Sequence, residues 1–160
     1  MTTVSPVTRT NVFSFLKESL AIEGIHRNPT SDEIDITVEF LSLPEITVQD
    51  VCNLQAIYEP DMPIRDQVGM NVRVGGHFPK KGGPEIRNLL ATIVRWANEN
   101  VANPWDIHCD FEELHPFMDG NGRTGRILWA WHMRRAGKDP FSLSFLHRWY
   151  YQTLENCANG

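Results

Sequence analysis

Apolar residues recur along this chain at three- and four-residue intervals far more often than at two. In "TNVFSFLKESLAIEG", Val12, Phe15, Leu16 and Leu20 fall on one helical face, and Gly24 stands where a left-handed cap would close the helix. Thr30 and Glu33 form a capping box that opens a second helix, which has to stop before Pro44. A similar start at Thr47 leads into "VQDVCNLQAIY". Pro84 suits the first turn of "PEIRNLLATIVRWANEN", whose Ile86, Leu89, Leu90, Ile93 and Val94 make one stripe. Asn103 and Pro104 start "PWDIHCDFEEL", which delivers His115 at its end. Another helix opens within "GNGRTGRILWAWHMRRAG", closed by Gly137, and a last one runs from about Ser142 through "FLHRWYYQTLENC". One segment breaks the pattern. In "GMNVRVGGHFPKKGG", alternating Val72 and Val74 among glycines predict a short hairpin. The fold class expected is all-α, with a β-flap.

Composition narrows the function classes. At 160 residues the chain suits one domain with a single core, and 41% hydrophobic with 22% charged residues is ordinary for a soluble globular protein. A net charge of −5 argues against coating nucleic acid, which needs a basic face, yet leaves room for a local basic pocket. Cys52, Cys109 and Cys157 are odd in number and lack a C-x-x-C pair, so free thiols in a reducing cytoplasm are expected. No apolar run approaches the ~18 residues of a membrane span, and the first residues lack the basic-then-apolar pattern of a signal peptide. The expectation is a cytoplasmic protein.

The densest chemistry lies in "HPFMDGNGRTGR", His115 to Arg126. Gly120, Gly122 and Gly125 spell G-x-G-x-x-G, but a dinucleotide fold needs a buried strand before the first glycine. Here "CDFEELHPF" precedes it, acidic and helical, so that reading fails. The underlying physics survives. A glycine-rich turn entering a helix exposes unpaired backbone N–H groups at the positive end of the dipole, which suits phosphate. Arg123 and Arg126, three apart, share a helix face and could hold a polyphosphate. Asp119 would oppose an anion unless Mg²⁺ sat between them. His115 is the one side chain in the motif able to accept a proton near pH 7. Pro116 would stop the preceding helix and Phe117 anchor the turn. A base, a metal-ligating acid and a polyphosphate cradle suggest transfer of part of a nucleotide to a hydroxyl.

At every fixed position "HPFMDGNGRTGR" resembles the HPFx[DE]GNGRxxR signature of Fic-domain proteins, and "NVRVGGHFPKKGGPEI" and "RWYYQTLENC" look like that family's segments on either side. The resemblance covers most of the chain from about residue 45. It implies one Fic domain over residues 1–160, with a flap at about 68–80, and transfer of AMP from Mg-ATP to a protein Tyr, Thr or Ser. His115 would deprotonate the target and Asp119 hold Mg²⁺ against the α- and β-phosphates. Gly120, Asn121 and Gly122 would bind the phosphates, with Thr124 and Gly125 in the same ATP-binding stretch. Arg123 would steady the phosphate chain and Arg126 reach the γ-phosphate. Val72, Val74 and Phe78 of the flap would dock the target by strand addition. "SLAIEG", from Ser19 to Gly24, resembles the family's inhibitory [ST]xxxE[GN] motif, which makes residues 8–24 an inhibitory helix whose Glu23 pairs with Arg126.

Other residues point less far. Tyr151, with Tyr150, is a candidate to flank the adenine, core packing being the alternative, and Asn156 or Asn159 could reach the adenosine. Contacts supplied further on in longer relatives would be missing or shifted here. His108, Cys109 and Asp110 lack the spacing of a zinc ligand pair. Removal of AMP through Glu23, or a silent toxin-like interaction module, are the competing functions, and no catalytic position of the motif is missing. Relatives that phosphorylate their targets alter the GNGR portion, which is intact here. The expected partner is a hydroxyl-bearing protein, without nucleic acid or membrane, and a homo-oligomer is left open.

Overall fold

Among the described residues, 4–142 of the computed structural model, six helices form: α1 (Arg9–Ile22), α2 (Ser31–Leu41), α3 (Val48–Tyr58), α4 (Pro84–Glu99), α5 (Pro104–Leu114) and α6 (Asn121–Arg135). Their ends follow the local chemistry. The Thr8 hydroxyl accepts the Asn11 N–H and opens α1. At its other end the Gly24 N–H donates to the Ala21 carbonyl and the Ile25 N–H to the Leu20 carbonyl, both at 3.0 Å, around Gly24 at φ 74°. That cap leaves Glu23 as the last residue before the chain turns away. Thr30 with Glu33, and Thr47 with Asp50, make complete capping boxes for α2 and α3.

Helix α6 is the axis of the fold and packs on each of the other five helices. It is buried from Arg123 through Met133. Its second half, Ile127 to Trp131, joins the apolar core. Its first half brings two arginines, an asparagine and a threonine into the same interior. Charges taken out of water have to find partners, so other elements must supply them.

Two expectations about the elements need correction. Leu89 is 41% exposed instead of joining the buried stripe of α4, which consists of Ile86, Leu90, Ile93, Val94 and Ala97. At 100° per residue Leu89 lies on the flank of that stripe, beside Trp96. The hairpin shrinks to one antiparallel bridge, Val74 to His77, around Gly75 and Gly76. No strand forms among the described residues. The flap is held at its base instead, where the Arg65 guanidinium donates to the Met70 and Lys80 carbonyls at 3.1 and 2.8 Å.

Cys52 is a free thiol, whereas Cys109 is disulfide-bonded, so the expectation of three free thiols fails at Cys109 and the argument from thiols for a reducing compartment lapses. No helix among the described residues is long and apolar enough to cross a membrane. The helix expected from Ser142, with Tyr150, Tyr151, Asn156 and Asn159, lies outside the described residues.

Candidate active site

The loop from His115 to Gly120 joins α5 to α6, and nearly every peptide in it is tied down. His115 ends α5 at φ 51°, ψ 62°, a left-handed conformation that a non-glycine residue keeps only where its surroundings over-determine it. Its N–H donates to the Phe111 carbonyl at 2.9 Å. Its carbonyl accepts from Arg65 Nε at 2.7 Å, while Arg65 Nη2 takes the Leu114 carbonyl at 2.9 Å. The chain at 63–65 runs antiparallel to the loop, with Arg65 N–H donating to Pro116 O and Met118 N–H to Pro63 O. Asn121 closes the other side, its amide both accepting from and donating to the Phe117 backbone at 2.8 Å. Phe117 is buried beneath, as expected of an anchor.

These constraints fix an imidazole in a defined protonation state. Burial, and next the Arg65 guanidinium, pull the His115 pKa down to about 4, against a hydrogen bond to the Glu112 carbonyl that acts the other way. The ring is therefore neutral at pH 7. With one nitrogen donating to that carbonyl, the other is left as a proton acceptor.

Helix α6 begins without a side-chain cap, at Gly120 with φ 80°. Its first N–H groups remain available to an anion at the positive end of the dipole. Asp119, exposed, accepts the Gly120 N–H through Oδ1 at 2.7 Å. Asn121 has its side chain committed to Phe117, so any phosphate contact it makes is through its backbone. At Gly122 a β-carbon would overlap Glu23 Oε1 and come within 3.0 Å of Arg126 Nη1. Only glycine leaves room there for the carboxylate to meet the arginine.

The two arginines share a helix face, as their spacing predicts, but are held from different directions. Arg126 is fully buried; its Nε donates to Ser19 Oγ at 2.7 Å, and its Nη2 to the Ser19 carbonyl at 3.0 Å and Glu23 Oε1 at 2.7 Å. Arg123 donates to Glu59 Oε1 at 2.8 Å from the end of α3 and lies 5.2 Å from the centre of the Tyr58 ring. Its Nε is buried with no hydrogen-bond partner. Glu112 Oε1, packed where a β-carbon on Gly125 would sit, likewise has no hydrogen-bond partner, His108 Nε2 lying 3.9 Å away, and burial pushes its carboxyl up to about 8. His108, expected to carry no zinc, gives its Nδ1 to the Gly125 carbonyl at 3.1 Å.

Ser19 and Glu23 thus come together with the motif. The flap residues do so less: Val72 is partly buried, Val74 is exposed, and Phe78 is 70% exposed with the Arg73 guanidinium 5.3 Å from its ring centre. Sequence reasoning missed Arg65, Glu59 and Glu112. Arg65 sits in the unremarkable "MPIRDQV" and Glu112 among other acids of α5, so neither had a local mark. Glu59 had one, as an acid directly after a predicted helix end.

The match to the Fic/DOC family model runs over residues 45–133, more than half of the chain and from the approach to α3 nearly to the end of α6. This chain belongs to the Fic/DOC family. Among similar curated proteins, Protein adenylyltransferase Fic of Drosophila erecta is 28% identical over 163 residues and that of Aedes aegypti 26% over 164, each match covering 91% of this chain and 33% of the relative. The chain thus spans about a third of the length of these relatives. The Fic fold also recurs in solved structures. A Fic domain containing signaling protein from Bacteroides thetaiotaomicron superposes with a TM-score of 0.54 at 18% identity, covering 81% of this chain and 64% of that one. A Fic family protein from Desulfovibrio desulfuricans gives 0.53 at 20%, covering 82% and 50%.

Proposed function

We propose that this Fic domain is an autoinhibited protein adenylyltransferase, transferring AMP from Mg-ATP to a Tyr, Thr or Ser hydroxyl of a target protein and releasing pyrophosphate. The observation that carries this reading is a neutral, immobilised His115 on the loop leading into an uncapped, glycine-opened helix start. The name of the curated relatives supports the reaction class. The triphosphate lies over the first N–H groups of α6, beside the Arg123 guanidinium. The target oxygen forms a bond to the α-phosphorus as the bond to the β-phosphate oxygen breaks, and the hydroxyl proton passes to the free nitrogen of His115. The donor set suits Mg²⁺: Asp119 is an exposed carboxylate with one oxygen on the Gly120 N–H, and a hard ion bound by one carboxylate and phosphates needs no more from the protein. Mg²⁺ held there would neutralise phosphate charge.

Glu23 restrains the enzyme by occupying Arg126. A charge-assisted pair of roughly 1.5–3 kcal/mol withholds the donor that would orient the γ-phosphate, and a small misplacement of the α-phosphorus lowers the rate steeply. A second reading draws on the same residue. Glu23 is about one-third exposed and only Oε1 is engaged among the described residues, so Oε2 could position a water to remove AMP from a modified protein.

The test uses the Glu23→Gly protein with α-labelled and γ-labelled ATP in parallel and Mg²⁺ present. Adenylyl transfer deposits the α label and not the γ label on protein. The reverse pattern would mean phosphate transfer and overturn the reading, whereas Glu23-dependent release of AMP from modified protein would promote the second.

A further inference from the structure

Strand addition at a flap reads backbone and leaves target choice unexplained, so any side-chain selectivity has to come from elsewhere. The structure holds a groove of about 440 Å³ between α4 and α5, closed at one end by flap residues 77–80. Its floor is apolar: Leu89, Ile93 and Trp96 of α4 face Leu114 of α5, with Phe78 at the flap end. Leu89 at 41%, Trp96 at 37% and Phe78 at 70% exposure gather in this groove. Isolated exposed apolar residues are unremarkable, but a lined concavity of them marks a binding surface.

Two acids and one lysine line the groove. Asp110 and Glu113 border the groove from α5, and neither has an ion pair among the described residues. Glu113 and Asp106 both press the Asp110 carboxyl upward after burial does, as expected where no cation balances them. The remaining charged residue of the lining, Lys80, is already paired with Glu85 at 2.9 Å. Glu113 and Leu114 of the lining immediately precede His115, and His77, also in the lining, lies near enough to act on the His115 imidazole. Leu89 to Trp96 spans about 10 Å of helix, the length of roughly three extended residues.

We propose that this groove is the side-chain specificity site for the target, and that it takes a segment with an apolar residue and a Lys or Arg within a few residues of the modified hydroxyl. The proposal rests on the adenylyltransferase reading for the hydroxyl, but the groove binds without nucleotide. The apolar side chain enters between Leu89 and Trp96, and the cation balances Asp110 and Glu113. Complementary charge of this kind chooses partners more than it adds raw affinity.

The test measures fluorescence-anisotropy titrations, without ATP, of two labelled ten-residue peptides. Each has a central tyrosine and a leucine, flanked by lysines in one and glutamates in the other. Wild type should bind the lysine peptide at least tenfold more tightly at low salt. Asp110→Lys with Glu113→Lys, both exposed and so compatible with folding, should reverse the order. Leu89→Ser should weaken the lysine peptide several-fold. Equal affinities, or an order unchanged by the double charge reversal, would overturn the proposal. So would a concentration-dependent dimer that Trp96→Glu dissociates, since a second copy would then fill the groove. Binding with the stated preference by the Glu23→Gly protein, but no α label on protein or peptide once labelled Mg-ATP is added, would refute the reaction and leave the groove standing.

Discussion

The entrance of α6 and the flap at 68–80 are close neighbours built on opposite plans. At the helix entrance the loop is pinned by Arg65, Asn121 and the 63–65 segment, both arginines have carboxylate partners, and His115 stands in a strained but fully supported conformation. The flap has a single bridge, exposed side chains and a base held by backbone carbonyls. Chemistry needs sub-ångström placement of a base against a phosphorus, whereas docking of a protein segment tolerates adjustment. On the proposed function, the more tightly bonded region is where a proton would move and the less bonded one where a target would be met.

The sharpest way to break this contrast is to remove the base. In a Glu23→Gly background, His115→Ala should lower AMP transfer by at least ~10³-fold with the urea midpoint little changed. A loss below tenfold would take His115 out of the mechanism. Next comes the pin. Arg65→Met strips donors from four backbone carbonyls, His115, Leu114, Met70 and Lys80, and should destabilise by ~3–5 kcal/mol in urea unfolding. Arg65→Lys should recover part of that stability while still slowing transfer, because one ammonium cannot serve four acceptors spread around a guanidinium.

A smaller effect concerns pH. His115 titrates near 6.5 in the unfolded chain and at about 4 when folded. Below pH 6.5 the unfolded state takes up the proton first, so stability contributed by this group is lost as pH falls from 6.5 to about 4. Activity follows the folded value: transfer at pH 5.5 should stay within about twofold of that at pH 7.5, where an ordinary histidine would lose about tenfold. A kcat/KM profile with its inflection near 6.5 would contradict the assigned environment. Smallest of all, Phe78→Ala in the exposed flap should leave stability within about 0.5 kcal/mol and raise KM for a protein target several-fold, with ATP affinity unaltered.

How much of this was legible beforehand follows from the range of each interaction. Helix starts at Thr30 and Thr47 and the stop at Gly24 are decided by residues three or four apart, and the structure has them where the sequence puts them. The motif was legible because its chemistry is contiguous. The pairing of Arg126 with Glu23, across more than a hundred residues, could be anticipated only through family resemblance. Arg65 was not legible at all, since its acceptors are backbone carbonyls, which no residue type announces. Leu89 was misassigned because periodicity identifies an apolar face but not which neighbour covers its edge. The flap failed as a hairpin because Val72 and Val74 alternate correctly while the flap's base is held by a distant arginine instead of a ladder.

The central claim is that Glu23, by holding Arg126, keeps an otherwise complete catalytic site idle. Quantifying α-labelled AMP on protein for wild type and Glu23→Gly at matched concentration tests it most directly. Release of a pair worth roughly 1.5–3 kcal/mol should raise labelling ~10–100-fold, at 1.4 kcal/mol per factor of ten. Equal labelling of the two proteins would contradict it.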